Sequence, residues 1–331
     1  MIYRKKWGIL GTSYISEVLA KAIIASETGE LVAIASRSED RAQAFARKFS
    51  LNRHYGAYSS LLADPDIDVV YIGLPNHVHK EWIIKAAQAG KHILCEKPLV
   101  LTVEEMHVVM AQVRDAHVVC MEALMYRHHP FIHHIKQVVL EKRLGEIRYV
   151  NGLYCANIAH RANTIAGGSI RNLGCYPLSL LRFLLDEDPI KMVSISRTNE
   201  KNAVRQASAI FQYAQGIIAT ISTADDLEMA WRFEMIGLDA DLIVESNPWL
   251  PTENQNRALL KNKSGYVLQS IATTAHKPLY SYQIDALGDA IDGSHLKSQK
   301  LISLEESLGT IQVMEQWMKQ IAKANVLAHE C

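Results

Sequence analysis

The 331-residue chain predicts an α/β protein: a doubly wound parallel sheet followed by a second, α+β domain with a large open, mostly antiparallel sheet. Three observations predict it. Short apolar runs alternate with helical patterns through the first part of the chain, which is how a parallel sheet covered by helices on both faces is written. After Pro130 the alternation stops, and strand-like segments follow one another with few helices between them. The chain is longer than one ordinary domain, and its hydrophobic content of 49% is enough for two cores. The expected division is 1–124 and 125–331.

Composition excludes several classes of function. The formal net charge is +0, so neither nucleic acid nor an anionic membrane is an expected partner. Cys95, Cys120, Cys155, Cys175 and Cys331 are scattered and form no C-x-x-C, which argues against a disulfide framework and for a reducing compartment. No signal-like or membrane-spanning apolar run occurs, so a cytoplasmic protein is expected.

Taken in order, Trp7-Gly8-Ile9-Leu10-Gly11 reads as a strand closing on glycine, and a helical pattern follows through Val18, Leu19, Ala22 and Ile23. Leu31-Val32-Ala33-Ile34-Ala35 is a second buried strand, which completes a βαβ unit. A dinucleotide fingerprint would read G-x-G-x-x-G/A; here those positions are Gly11, Ser13 and Ser16. Only the first glycine is kept, and an ordinary α/β turn would look the same. Ser13 is compatible with a phosphate if its φ is negative, since its hydroxyl can then donate. The second strand ends in Ser36-Arg37-Ser38, with Arg41 one helical turn beyond and no acid to hold ribose hydroxyls. Hydroxyl plus guanidinium suits a 2′-phosphate, so NADP(H) is expected rather than NAD(H).

Helices over 41–49 and 58–63 precede a strand at Val69-Val70-Tyr71-Ile72-Gly73, which runs out into Leu74-Pro75-Asn76-His77-Val78-His79. A helix over 81–89 stops at Gly90, and Thr102-Val103-Glu104-Glu105 reads as a capping box opening another. Between them, Ile93-Leu94-Cys95 ends abruptly in Glu96-Lys97-Pro98. This apolar run is a buried strand, and Lys97 emerges at its carboxyl end, where open parallel sheets build their sites. Desolvation would favour a neutral lysine and the adjacent carboxylate a charged one, a balance that can serve proton transfer. A surface ion pair at a strand end is the other reading. A last strand of this domain is expected over 118–122.

In the second part, 131–140 is an amphipathic helix, and strands are expected over 147–154, 192–196, 208–213, 216–222, 231–237 and 241–244. Gly167-Gly168 allows close backbone approach, and the helix over 177–185 has proline near its first turn. Asn172 and Tyr176 lie one helical turn apart, so both can face one pocket. The stretch 247–265 reads as a polar loop, and 282–291 and 304–322 as closing helices. The pairs His77/His79, His128/His129 and His133/His134 lack the spacing and companions of a metal site, and none is expected.

On five blocks the chain resembles the Gfo/Idh/MocA oxidoreductase family: Trp7 to Thr12, Ser36-Arg37, Pro75 to His79, Glu96-Lys97-Pro98, and Met121-Glu122-Ala123-Leu124-Met125-Tyr126-Arg127-His128-His129-Pro130. The last block most resembles the branch of glucose–fructose oxidoreductase, xylose dehydrogenase and dimeric dihydrodiol dehydrogenase. The resemblance implies a Rossmann domain that binds the cofactor through Gly11, Thr12, Ser13, Tyr14 and Ile15, through Ser36, Arg37 and Arg41, and through Leu74, Pro75, Asn76, His79, Glu96, Lys97 and Arg127. It makes Lys97 and Tyr176 catalytic, with Lys97–Pro98 a candidate cis peptide, and it gives Lys97, Asn172 and Tyr176 the substrate. Asn172 departs from the family's customary Asp, so an Asp–His relay is absent. The implied activity is hydride transfer between NADP and a secondary hydroxyl or ketone of a sugar, polyol or related cyclic substrate. Two alternatives stay open: a trans-dihydrodiol dehydrogenase, and a non-catalytic NADP-sensing relative. The resemblance also implies a free sheet face in the second domain that packs against another subunit, hence a homodimer or higher oligomer.

Overall fold

The computed structural model describes residues 4–160, 167–200, 203–293 and 301–329, with side chains through 323; Met1, Ile2, Tyr3 and Cys331 lie outside the described residues. The first sheet is built from β1 (Lys5–Leu10), β2 (Gly29–Ala35), β3 (Arg53–Tyr55), β4 (Val69–Ile72), β5 (His92–Cys95) and β6 (Cys120–Glu122). Between them run α1 (Tyr14–Ala25), α2 (Glu39–Phe49), α3 (Tyr58–Leu62), α4 (His79–Gln88) and α5 (Val103–Asp115). The strand order is β3-β2-β1-β4-β5-β6 and every pairing is parallel. The order reverses direction between β1 and β4, and a crevice at such a reversal is where doubly wound sheets take ligands. β1 and β4 bury their apolar residues completely, as strands covered on both faces must. α1, α2 and α5 start where hydroxyl side chains satisfy orphan N–H groups: at α5, Thr102 Oγ1 accepts from Glu105 N at 3.1 Å, and the Glu105 carboxylate accepts from Leu101 N at 2.9 Å.

The second sheet follows α6 (Pro130–Leu140) and encloses α7 (Cys175–Leu185) in sequence. Its strands are β7 (Ile147–Cys155), β8 (Lys191–Thr198), β9 (Val204–Gln212), β10 (Ile218–Ala224), β11 (Ala230–Gly237), β12 (Ala240–Val244), β13 (Asn256–Asn262) and β14 (Val267–Thr273). Their order is β14-β13-β12-β11-β7-β10-β9-β8, antiparallel except where β7 meets β10. One face carries Val150, Phe211, Ala219, Ile221, Phe233 and Leu242 into the core. The other is open: Val193, Ile195 and Ile210 are 68%, 75% and 52% exposed.

One expectation is corrected here. The polar loop expected over 247–265 contains β13, which pairs with β12 and β14; Leu259 and Leu260 are buried, and Asn262 and Gly265 make the hairpin turn. The polar residues that suggested a loop instead brace its start, since Asn256 Nδ2 donates to Thr273 O at 3.2 Å. The chain forms two compact units. The first unit is Met1–His128 with His276–Ser307, and the second is His129–Ala275 with Leu308–Cys331. The returning helix α8 (Leu279–Ile291) buries Ile284 and Leu287 against α1 and lies so near that a Cβ on Gly288 would sit 2.4 Å from Thr28 Oγ1. Asp285 Oδ1 accepts from the N–H groups of Glu27 at 2.9 Å and Thr28 at 3.2 Å, and Ser281 Oγ donates to Ala22 O at 3.1 Å. The last helix is α9 (Leu304–His329). Among the described residues no helix is long and apolar enough to cross a membrane.

Candidate active site

The turn after β1 is held open by one glycine. Gly11 has φ +101°, and a Cβ there would meet Gly73 O and Leu74 Cδ2 at 3.0 Å each. Ser13 has φ −82°, the condition set by the sequence, but its hydroxyl serves its own helix first: it caps α1 by accepting from Ser16 N at 3.3 Å. Thr12, Ser13, Tyr14 and Ile15 thus form the entry to a helix N-terminus, which favours an anionic group. Tyr14 is 76% exposed beside it.

At the end of β2, Ser36 is buried and its hydroxyl accepts from Ser38 N at 3.3 Å. Arg37 is exposed and lines a pocket of about 490 Å³ together with Gly56, Tyr58, Leu74, Pro75, His77 and Trp82. Tyr58 and Trp82 meet edge to face at 4.9 Å. Arg41, expected to share this place, is not among the lining residues; it sits exposed in the first turn of α2 with its N–H bonded to Ser38 Oγ at 3.4 Å. Tyr58 and Trp82 were missed because each reads as part of a helix pattern. A glycine turn, a helix N-terminus, and a strand tip without an acid beside a pocket lined by Arg37 and by Glu81, itself paired with Lys85, fit a dinucleotide carrying a 2′-phosphate.

Two loops meet at the carboxyl edge of the same sheet. Asn76, buried, opens a single helical turn (Asn76–Val78) after Pro75. The buried His79 ring lies between the loop after β4 and the loop after β5, Nε2 2.8 Å from Leu74 O and Nδ1 3.0 Å from Pro98 O, and as a neutral imidazole it donates to one of these carbonyls. Burial pushes its pKa below the usual histidine value. The Lys97–Pro98 peptide is cis. Glu96 turns inward: Tyr71 Oη donates to its Oε1 at 2.8 Å, and Lys97 N donates to its Oε2 at 3.2 Å. Burial raises the pKa of Glu96 and raises that of Tyr71 well above the usual range. Lys97 remains partly exposed.

Sequence reasoning missed the support behind this loop. Glu122 is buried and takes two donors, Leu99 N at 3.1 Å and Ser307 Oγ at 2.7 Å; burial raises its pKa also. Arg127, buried, pairs with Glu306 at 2.9 Å. Ser307 and Glu306 come from the start of α9, so no local pattern could have found them.

In the second unit a single wide turn, Ile170–Gly174, runs straight into α7 and carries Asn172 one turn before Tyr176. Gly168 has φ +69° and lies so close to β9 that a Cβ would be 2.1 Å from Val204 O, which accounts for the glycine pair. The Tyr176 ring packs edge to face on Tyr154 at 5.3 Å, and Tyr154 lies 5.7 Å from the buried Trp249. Asn172 Nδ2 donates to Asp225 Oδ2 at 3.4 Å, and Arg205 grips the same carboxylate at 3.2 and 3.3 Å. Neither Asp225 nor Arg205 was singled out in the sequence; an acid pair closing an apolar strand, Asp225-Asp226, was the available signal. Among the described residues no group of three or more His, Cys, Asp or Glu could hold a metal ion.

Residues 5–124 match the family model described as oxidoreductase family, NAD-binding Rossmann fold, and residues 132–243 match the GFO/IDH/MocA C-terminal domain. The chain is 35% identical to a D-xylose 1-dehydrogenase (NADP(+)) of Haloferax volcanii, over 73% of this chain and 75% of that one. It is 29% identical to a trans-1,2-dihydrobenzene-1,2-diol dehydrogenase of Xenopus tropicalis, over 75% and 76%. Its fold is similar to that of a 3-ketoreductase from Actinomadura kijaniata solved with NADP and TDP-benzene, with a TM-score of 0.87, 24% identity, and 96% and 98% of the two chains covered.

Proposed function

Because the chain belongs to the GFO/IDH/MocA family of oxidoreductases, we propose that it moves a hydride between NADP and a secondary hydroxyl or ketone of a sugar, polyol or related cyclic substrate. The observation that carries this reading is the place of His79: it lies between the loop bearing Lys97 and the loop after β4, at the sheet edge that also carries Gly11 and Arg37. NADP, when bound, supplies the hydride acceptor or donor. Arg37 and Ser36 hold its 2′-phosphate, with Arg41 contributing charge from the next turn, and the residues from Gly11 to Ile15 receive the pyrophosphate. Arg127, anchored by Glu306, steadies the wall beside the nicotinamide.

A carbinol that loses hydride must also lose a proton, so a base is required at that oxygen. Tyr176 exchanges this proton. Lys97 is the second group of the proposed chemistry and polarises the reacting oxygen. Asn172 orients a substrate hydroxyl by hydrogen bonding. The relation to the xylose dehydrogenase, higher than that to the dihydrodiol dehydrogenase, favours a sugar or polyol over an aromatic diol. The open face of the second sheet, with Val193, Ile195 and Ile210 uncovered, pairs with a second copy of the chain in a homodimer or higher oligomer. Cys95, Cys120, Cys155 and Cys175 are free and buried, which suits a cytoplasmic enzyme.

The test is a panel of aldoses, polyols and trans-dihydrodiols, each with NADP and with NAD, followed at the absorbance of reduced nicotinamide. Turnover of sugars or polyols with NADP is expected. Preference for aromatic dihydrodiols would replace the substrate class, and NADP binding without turnover of any member would turn the reading to a sensor.

A further inference from the structure

β5 leaves the ladder at Glu96, whose N–H still donates to Ile72 O at 3.1 Å. The next three residues, Lys97-Pro98-Leu99, must place their N–H groups elsewhere, since a buried orphan costs as much as a lost hydrogen bond. Pro98 has none to place. The other two both go to carboxylates: Lys97 N donates to Glu96 Oε2 at 3.2 Å, and Leu99 N to Glu122 Oε1 at 3.1 Å. Leu99 and Glu122 are 0% and 1% exposed, so the second bond is made away from bulk water. Glu122 ends β6 beside Cys95 of β5, and Ser307 Oγ donates to its other oxygen at 2.7 Å. The carboxylate is thus held at both oxygens.

We propose that Glu122 is a positioning residue for the proposed hydride transfer: its carboxylate reaches the Leu99 N–H and thereby fixes the short segment from which the Lys97 side chain rises. This deepens the function proposed above and rests on Lys97 being catalytic. The Lys97 N–H is bonded to the residue before it, a contact that travels with the chain and does not set where the segment lies. The Glu122 bond does, because it comes from another strand. One residue separates Leu99 from Lys97, and misplacing a catalytic group by about 1 Å costs up to about a hundredfold in rate.

The role is one of reach and acceptance, not of charge. Arg127 favours the ionised form of Glu122 and Glu96 opposes it, whereas the Lys97 ammonium acts on Glu96. Ionised, Glu122 has two donors on it and no proton to give. An uncharged amide of the same length would serve as well. Its oxygen takes the Leu99 N–H, and its NH₂ faces the Ser307 hydroxyl, which turns to accept.

The experiment uses the full chain with NADP and the best substrate of the panel, in Glu122→Gln, Glu122→Asp and Glu122→Met, beside Lys97→Met. Glu122→Asp keeps the charge and loses a methylene of reach; Glu122→Met keeps the length and loses the acceptor. Each should lower kcat about tenfold, with KM and NADP titration within about twofold of the wild type. Each should also speed amide hydrogen exchange over 97–101, a readout that needs no substrate. Glu122→Gln should turn over within about threefold of the wild type and exchange as slowly as it does. Support of the fold alone would lower the melting temperature and leave kcat unchanged. Should Glu122→Asp or Glu122→Met not fold, the other carries the comparison with Glu122→Gln. Wild-type kcat in either folded variant would overturn the proposal, even with faster exchange. A Glu122→Gln as slow as they are would overturn it too, by making charge the decisive property. If Lys97→Met turns over normally, or no member of the panel is turned over, the function proposed above falls and this proposal with it; if Lys97→Met is slow while Glu122→Asp and Glu122→Met are not, only this proposal falls.

Discussion

The two chemical regions of this chain are assembled in opposite ways. In the first unit, acid, base and proline are consecutive in Glu96-Lys97-Pro98, and the carboxylate that orients the lysine's backbone belongs to the preceding residue. In the second, the carboxylate that accepts from Asn172 belongs to Asp225, 53 residues further on, and its counter-charge comes from a neighbouring strand. Contiguous chemistry keeps its spacing in any fold, whereas distributed chemistry exists only once the sheet has formed. The first region should therefore respond to substitution as a local unit, and the second as a network spread over β9, β10 and the turn before α7.

The largest effect should separate catalysis from binding. Lys97→Met and Tyr176→Phe are each expected to lower kcat by about a thousandfold, as loss of a proton-transfer group does, while NADP titration by fluorescence stays within about twofold of the wild type. Near-normal turnover in both variants would break the assignment of roles to the two regions.

A smaller effect belongs to the first unit alone. Arg37→Ala should weaken NADP about tenfold, the scale of one charge-assisted hydrogen bond, and leave NAD nearly unchanged. Equal losses for both coenzymes would mean that Arg37 does not read the phosphate.

A buried imidazole in each unit sharpens the contrast further. His79 lies between two carbonyl groups, whereas His129 caps α6 by accepting from Phe131 N at 3.2 Å. Acceptance requires a bare Nδ1, and burial holds the His129 pKa down at about 4, against 6.5 for an ordinary histidine. The unfolded chain thus binds more protons than the folded one between those values, and stability falls as pH drops through that window. His129→Asn keeps a capping acceptor without the titration. Melting temperatures taken between pH 7 and 4.5 should fall less steeply for it than for the wild type.

The smallest effect tests the support behind the lysine loop. Ser307→Ala removes a donor from Glu122 and should cost about 1 kcal/mol in urea unfolding of the first unit. An unchanged midpoint would show that Glu122 is satisfied without it.

The legibility of the sequence follows the same division. The βαβ start, the Gly11 turn, the Thr102 cap and the Glu-Lys-Pro strand end were readable because each is decided by neighbours a few residues apart. β3 has only three residues, too few for a period to show. β14 buries only Ile271 and Thr273, so its alternation is silent, and its partner β13 looked like a loop because Pro248, Pro251 and Asn254 stand before it. Of the proposed site, Lys97, Tyr176 and Asn172 were singled out from motif, spacing and resemblance. Asp225, Arg205, Glu122 and Glu306 were not, since each acts on a partner that only tertiary structure supplies.

The helix that returns from near the end of the chain to cover α1 bears on how the protein is made. Synthesis delivers the N-terminal sheet early, yet the carboxylate for the Glu27 and Thr28 amides and the apolar cover for α1 emerge only after some 280 residues. The part begun first is therefore finished almost last, and a ribosome that stops after residue 275 releases a coenzyme-binding half still missing its lid of α8.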